Sequence, residues 1–249
     1  AGAVHRLPAQ MSRAILGGAA AAGAGGKDGA GMIAYALLDW DGTLVDSMPF
    51  WYAVPQRYCR EKGVAYFPQL GEVIGSMTMA QAAVAATDML HLDQTPAQTL
   101  EEMKQMVRRA YDEEIPLKPG VLDTVRAFHA AGVRLGIASA SDTELIRTTL
   151  PRLGLSPYID AVCTCTDTGD GRNKEESPAV YEECLRRLGG SDRTQTVIFD
   201  DALFAARTAL AAGFRVAGVF ESTAPDDQAE LQRICTYYFR NATEWRTLL

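Results

Sequence analysis

The sequence has no apolar run long enough to cross a bilayer, and no segment gathers lysine and arginine into a basic face. The first absence gives no reason to expect a membrane-spanning helix. The second removes nucleic acid from the expected partners. Acids outnumber bases, 31 Asp and Glu against 24 Lys and Arg, for a net charge of -7. A chain with this balance that handles anions must concentrate positive charge locally or use a metal. Cysteine is scarce and odd in number: five, at positions 59, 163, 165, 184 and 235. That pattern suggests no disulfide framework and fits a reducing, cytoplasmic setting. Cys163 and Cys165 stand two apart, but with no further Cys or His close in sequence they read as buried strand thiols rather than a metal pair.

Within residues 1–31, the stretch "AILGGAAAAGAGGKDGAG" has almost no large apolar side chains. Alanine and glycine dominate, and such a stretch cannot bury enough surface to offset its ordering entropy, so it reads as a disordered extension. Its "GAGGKD" is no phosphate loop, because Lys27 is followed by Asp28 rather than Ser or Thr.

From Ile33 onward the punctuation becomes regular. "IAYALLD", "VRLGIAS", "DAVCTC", "TVIFDD" and "FRVAGVF" are short continuous apolar runs, the mark of strands buried on both faces. Helical patterns lie between them. "PGVLDTVRAFHAAG" ends on Gly132. "SDTELIRTTLPRLG" offers Ser141 as an N-cap with Glu144 three residues on. "SPAVYEECLRRLGG" and "DALFAARTALAAG" each close on glycine. This alternation predicts an α/β fold, a parallel sheet with helices on both faces. The C-terminal tail is expected to add a helix, a short strand and a last turn. Residues 48–117 break the rhythm, with helices and no convincing strand. One helix opens at Thr95-Pro96, another covers "TMAQAAVAATDML", and a third, "FWYAVPQRYCREKG", is disturbed by Pro55. The reading therefore divides the chain into an extension (1–31), a core (32–47 and 118–249) and a helical insertion (48–117). Such an insertion would sit over the carboxyl ends of the strands, where open α/β sheets bind ligands.

The chemistry gathers at those strand ends. Asp39 and Asp41 close the first apolar run, and residues two apart on an extended segment point the same way. Gly42 permits a tight turn behind them. Two such carboxylates repel unless a cation sits with them or one holds a proton. Asp200 and Asp201 end another apolar run, and all-oxygen ligands of this kind suit magnesium. The competing reading makes Asp201 a plain helix N-cap. Ser139 ends the second run, where a hydroxyl before a helix start favours an anion. Lys174 lies in the loop "GDGRNKEESP" and can bring positive charge.

Taken together, these positions resemble the motifs of the haloacid dehalogenase-like hydrolase superfamily. Asp39-Trp40-Asp41-Gly42-Thr43-Leu44-Val45-Asp46-Ser47 matches its first motif, Ser139 the second, Lys174 the third and Asp200-Asp201 the fourth. The resemblance spans residues 33–220 and implies a Rossmann-like core with an α-helical cap. It further implies Asp39 as nucleophile and Asp41 as general acid and base. Thr43, Ser139 and Lys174 would bind phosphate. Magnesium would be held by Asp39, the Asp41 carbonyl, Asp200 and Asp201. The third motif is one residue longer than usual, and Lys174 is favoured over Arg172 for its role. In the fourth, Ala202 and Ala205 replace the common Ser and Gly. A second aspartate in the first motif points to phosphoryl transfer rather than dehalogenation. The expected activity is hydrolysis of a small phosphorylated metabolite through an aspartyl phosphate. The alternatives are a sugar-phosphate mutase of the β-phosphoglucomutase type and a non-catalytic binding protein that keeps the fold. The stretch "EVIGSMTMAQ" carries no base to hold a second phosphate, which disfavours the mutase. Nothing in the sequence fixes an oligomeric state.

Overall fold

Apolar strands that bury both faces need helices on both sides, and the computed structural model has that arrangement. It describes residues 33–75 and 77–249, so the expected N-terminal extension lies outside the described residues. The strands are β1 (Tyr35–Leu38), β2 (Arg134–Ser139), β3 (Ala161–Thr164), β4 (Thr196–Asp200), β5 (Arg215–Val219) and β6 (Tyr237–Phe239). They form one sheet in the order β3-β2-β1-β4-β5-β6, with every neighbouring pair parallel. The five apolar runs are the first five strands, and the tail supplies the sixth.

Along β1 the side chains alternate between the two faces. Ala36 and Leu38 pack on one side with Val125, Phe128 and Ile146. Leu37 packs on the other with Tyr181, Cys184 and Ala206. The covering helices are α5 (Val121–Ala130) and α6 (Thr143–Arg152) on the first face, and α7 (Ala179–Arg187), α8 (Leu203–Ala211) and α9 (Pro225–Ile234) on the second. No helix among the described residues is long and apolar enough to cross a membrane.

Between β1 and α5 the chain forms four helices: α1 (Met48–Lys62), α2 (Pro68–Ile74), α3 (Met79–Met89) and α4 (Pro96–Glu113). Thr95 caps α4 by accepting from the Gln98 N–H, as its position before Pro96 suggests. Pro55 does not interrupt α1. The proline lies on the buried side of the helix with Trp51, Val54, Tyr58 and Cys59, and burial of that side offsets its missing N–H. The segments entering and leaving this stretch pair with each other. Val45 bridges Leu117, Asp46 N–H donates to Pro116 O at 2.9 Å, and Lys118 N–H to Leu44 O at 3.0 Å.

Ser141 does not cap α6. Asp142 does, accepting from the Glu144 and Leu145 N–H groups. A carboxylate one residue closer to the helix takes the donors and leaves the serine hydroxyl for another partner.

Candidate active site

Strands β1 and β4 are neighbours where the chain's winding reverses, the place where open α/β sheets bind ligands beyond the carboxyl ends of their strands. The ladder runs one residue past β1: Asp39 N–H donates to Phe199 O at 2.9 Å. That bond sets Asp39 beside Asp200 and Asp201. Carboxylate oxygens of these three residues all lie within 4.8 Å of one another. Lys174 Nζ reaches between them, 2.6 Å from Asp39 Oδ1 and 2.8 Å from Asp200 Oδ2. The Asp200 contact is a hydrogen bond. Its contact with Asp39 Oδ1 is an ion pair, and that oxygen has no further partner among the described residues. Lys174 is 3% exposed, while Arg172 is exposed, so the lysine is the cation that reaches the acids. Tyr181 also donates to Asp200 Oδ2, at 3.1 Å.

Three carboxylates against one ammonium leave excess negative charge in a dry place. Burial pushes the Asp39 carboxyl up to about 7, with Asp200 and Asp41 adding to the rise and Lys174 opposing it. Asp201 is held well above the usual carboxylate range by burial, then by Asp200 and Asp39. Burial works against the Lys174 charge, but Asp200 and Asp39 outweigh it and hold the ammonium ionised. The donor set is all hard oxygen, it is under-neutralised, and Asp39 Oδ1 is short of a hydrogen bond. These residues fit a divalent cation such as magnesium. Asp201 does not cap α8, whose N-cap is Ala202 with no side-chain cap bond. It instead accepts from Thr43 Oγ1 at 3.0 Å. Gly42, at φ +75°, backs this contact, because a Cβ there would overlap the Asp201 carboxylate.

Asp41 lies in different surroundings. Among the described residues its carboxylate takes hydroxyl donors: Ser47 to Oδ1 at 2.6 Å, Tyr111 also to Oδ1, and Ser141 to Oδ2. The side chain of Asp41 is not in the three-carboxylate cluster. Ser139 is buried just below, its Oγ accepting from the Ser141 N–H at 3.1 Å. The sequence-predicted positions thus fall into two groups: Asp39, Thr43, Lys174, Asp200 and Asp201 in one, Asp41 and Ser139 in the other. Sequence reasoning missed Ser141 as an Asp41 partner because a serine before a helix reads first as a cap. It missed Tyr111, which is 70 residues away and carries no local signal.

The chain is similar to several known proteins. The chain is 25% identical over 177 residues to the fructose-1-phosphate phosphatase YqaB of Escherichia coli, covering 71% of this chain and 91% of that one. It is 23% identical over 188 residues to a phosphorylated carbohydrates phosphatase of Thermotoga maritima, covering 75% and 85%. Among solved structures, the fold is similar to a HAD family hydrolase from Deinococcus radiodurans with bound phosphate and sodium, at TM-score 0.68 and 23% identity, covering 86% of this chain and 94% of that one. Residues 33–213 match the haloacid dehalogenase-like hydrolase family, and the chain belongs to it.

Proposed function

We propose that this hydrolase removes phosphate from a small phosphorylated carbohydrate, by way of an aspartyl phosphate on Asp39 and with magnesium as its cation. It is a phosphoric monoester hydrolase, as are the phosphatases it is similar to. The observation that carries the reading is the under-neutralised cluster of Asp39, Asp200 and Asp201 around Lys174. A phosphoryl group in transfer needs an in-line nucleophile and charge compensation more than covalent assistance. Bound at these carboxylates, magnesium supplies that compensation and lets the three acids stay ionised together.

The chain's own groups do the rest. The Asp39 carboxylate attacks phosphorus as the bond to the leaving oxygen breaks. Asp41, in its protonated form, gives that oxygen a proton. Water then attacks phosphorus, Asp41 takes its proton, and Asp39 leaves as a carboxylate with inorganic phosphate as product. Lys174 and the Ser139 hydroxyl bind the phosphoryl oxygens. Thr43 serves the same group through a hydroxyl that in this structure steadies Asp201. Residues 48–117 act as a cap over the site, joined to the core through the paired linkers at Val45 and Leu117. Its segment 63–103, which includes "EVIGSMTMAQ", contains no lysine or arginine, so that segment offers no guanidinium or ammonium for a second phosphate. That favours a phosphatase over a mutase.

The test is turnover of p-nitrophenyl phosphate and a panel of sugar and hexitol phosphates. Activity should vanish with excess chelator and return with magnesium. Full turnover in chelator, or activity only on non-carbohydrate esters, would overturn the cation or the substrate class respectively.

A further inference from the structure

Tyr111 is fully buried near the end of α4, yet it spends its hydroxyl on a carboxylate rather than on its own helix. Trp51, on α1, donates its indole N–H to that hydroxyl at 2.9 Å. An indole N–H can only donate, so the tyrosine oxygen must accept from it. The one hydroxyl hydrogen is thereby left for Asp41 Oδ1. The tyrosine is anchored at its other end as well. Arg152, from α6, donates to the Tyr111 carbonyl through Nε at 3.0 Å and Nη2 at 2.7 Å, and to Ile115 O at 2.5 Å. The Trp51 and Tyr111 rings pack with centroids 6.4 Å apart. A phenylalanine would fill the same space, so packing alone does not need the hydroxyl.

With Ser47 and Tyr111 on Oδ1 and Ser141 on Oδ2, the plane of the Asp41 carboxyl is fixed from both oxygens. Ser47 and Ser141 lie beside the strand ends. Tyr111 is the donor that comes from inside the four-helix stretch. We infer that Tyr111 is a positioning residue for Asp41, aimed by Trp51, through which the helical insertion sets the direction of the acid–base carboxyl. This rests on the acid–base reading of Asp41 given above.

The test compares Tyr111→Phe, Asp41→Asn and the double variant on two esters. One is β-glycerophosphate, whose alkoxide needs a proton to leave; the other is p-nitrophenyl phosphate, whose leaving group does not. For Tyr111→Phe, kcat/KM on β-glycerophosphate should fall about tenfold, and on p-nitrophenyl phosphate by less than about twofold. Inhibition by inorganic phosphate should be unchanged, because no phosphate contact is lost. In the Asp41→Asn background the tyrosine substitution should have no further effect. Equal losses on the two esters, or a loss that persists in full without Asp41, would overturn the inference. If Asp41→Asn itself shows no leaving-group dependence, the acid–base reading fails. If Asp41→Asn shows it and Tyr111→Phe does not, only the inference fails. Trp51→Phe, which removes the donor that aims the hydroxyl, should give the same split to a smaller degree. It decides the matter if Tyr111→Phe does not fold, with equal losses on the two esters again the contradicting result.

Discussion

Two clusters of polar side chains, one partly exposed in the helical insertion and one buried at the strand ends, are balanced in opposite ways. In the helical insertion, Lys62 Nζ lies 3.0 Å from Glu102 Oε1, while Tyr58 and Gln94 donate to Glu102 Oε2 at 2.6 and 2.9 Å. One acid meets one base and two further donors. Hydrogen bonds from Gln94 and Tyr58, with Lys62 behind them, hold the Glu102 carboxyl down to about 2. At the strand ends, Lys174 pairs with Asp39 and Asp200, Asp201 adds a third carboxylate, and burial pushes Asp39 up to about 7. The first cluster is finished by folding. The second is left short of positive charge, and a sequence keeps such an imbalance where a ligand completes it.

The comparison breaks most visibly at Asp39. Asp39→Asn keeps the shape and removes the proposed nucleophile, so turnover should fall by about 10⁴-fold or more. Magnesium affinity, read by calorimetry, should fall with it because an anionic ligand is lost. Retained turnover would remove Asp39 from the chemistry. Asp41→Asn should cost less, about 10²–10⁴-fold in kcat/KM on alkyl phosphates. Its effect should shrink on p-nitrophenyl phosphate. The same calorimetry should find magnesium binding nearly intact, since this side chain stands outside the acid cluster.

Stability measurements sharpen the contrast between the clusters. Lys174→Met leaves buried carboxylates without their ammonium, and urea unfolding should show a loss of about 3 kcal/mol. A change under about 1 kcal/mol would contradict the buried-pair account. Glu102→Gln should cost less than about 1 kcal/mol at neutral pH, because the Glu102 side chain is 40% exposed and solvent screens it. Its signature is in pH. The folded-state carboxyl lies below its unfolded value, so its contribution is complete above about pH 4.5 and is lost as pH falls toward about 2. The wild-type protein should lose stability across that window more steeply than the Glu102→Gln variant, and identical slopes would count against the assignment.

Much of this architecture was legible in the sequence because its signals are local. Five apolar runs bounded by helix patterns gave the parallel sheet, and carboxylates following two of those runs gave Asp39, Asp200 and Asp201 at one end of it. What escaped was non-local or decided by competition. Ser141 reads as the cap, and only the folded chain shows that Asp142 takes that place and frees the serine for Asp41. Pro55 reads as a disturbance of its helix, but the helix runs through it with Trp51, Pro55 and Tyr58 all buried. Helix α2 is only seven residues long with a glycine inside, too short and too weak in propensity to declare itself. Tyr111 carries no motif, and its meaning comes from Trp51 and Asp41, 60 and 70 positions away.

The central claim is that Asp39 carries the phosphoryl group, and it can be read from one trapped sample. The Asp41→Asn variant is mixed with p-nitrophenyl phosphate and magnesium, quenched in acid within the first turnover, digested and mapped by mass spectrometry. The account predicts a phosphate on the peptide containing Asp39, absent when Asp39 is also replaced by Asn. Product formed with no phosphopeptide at any time point, or with phosphate on Asp41, Asp200 or Asp201 in place of Asp39, would contradict it.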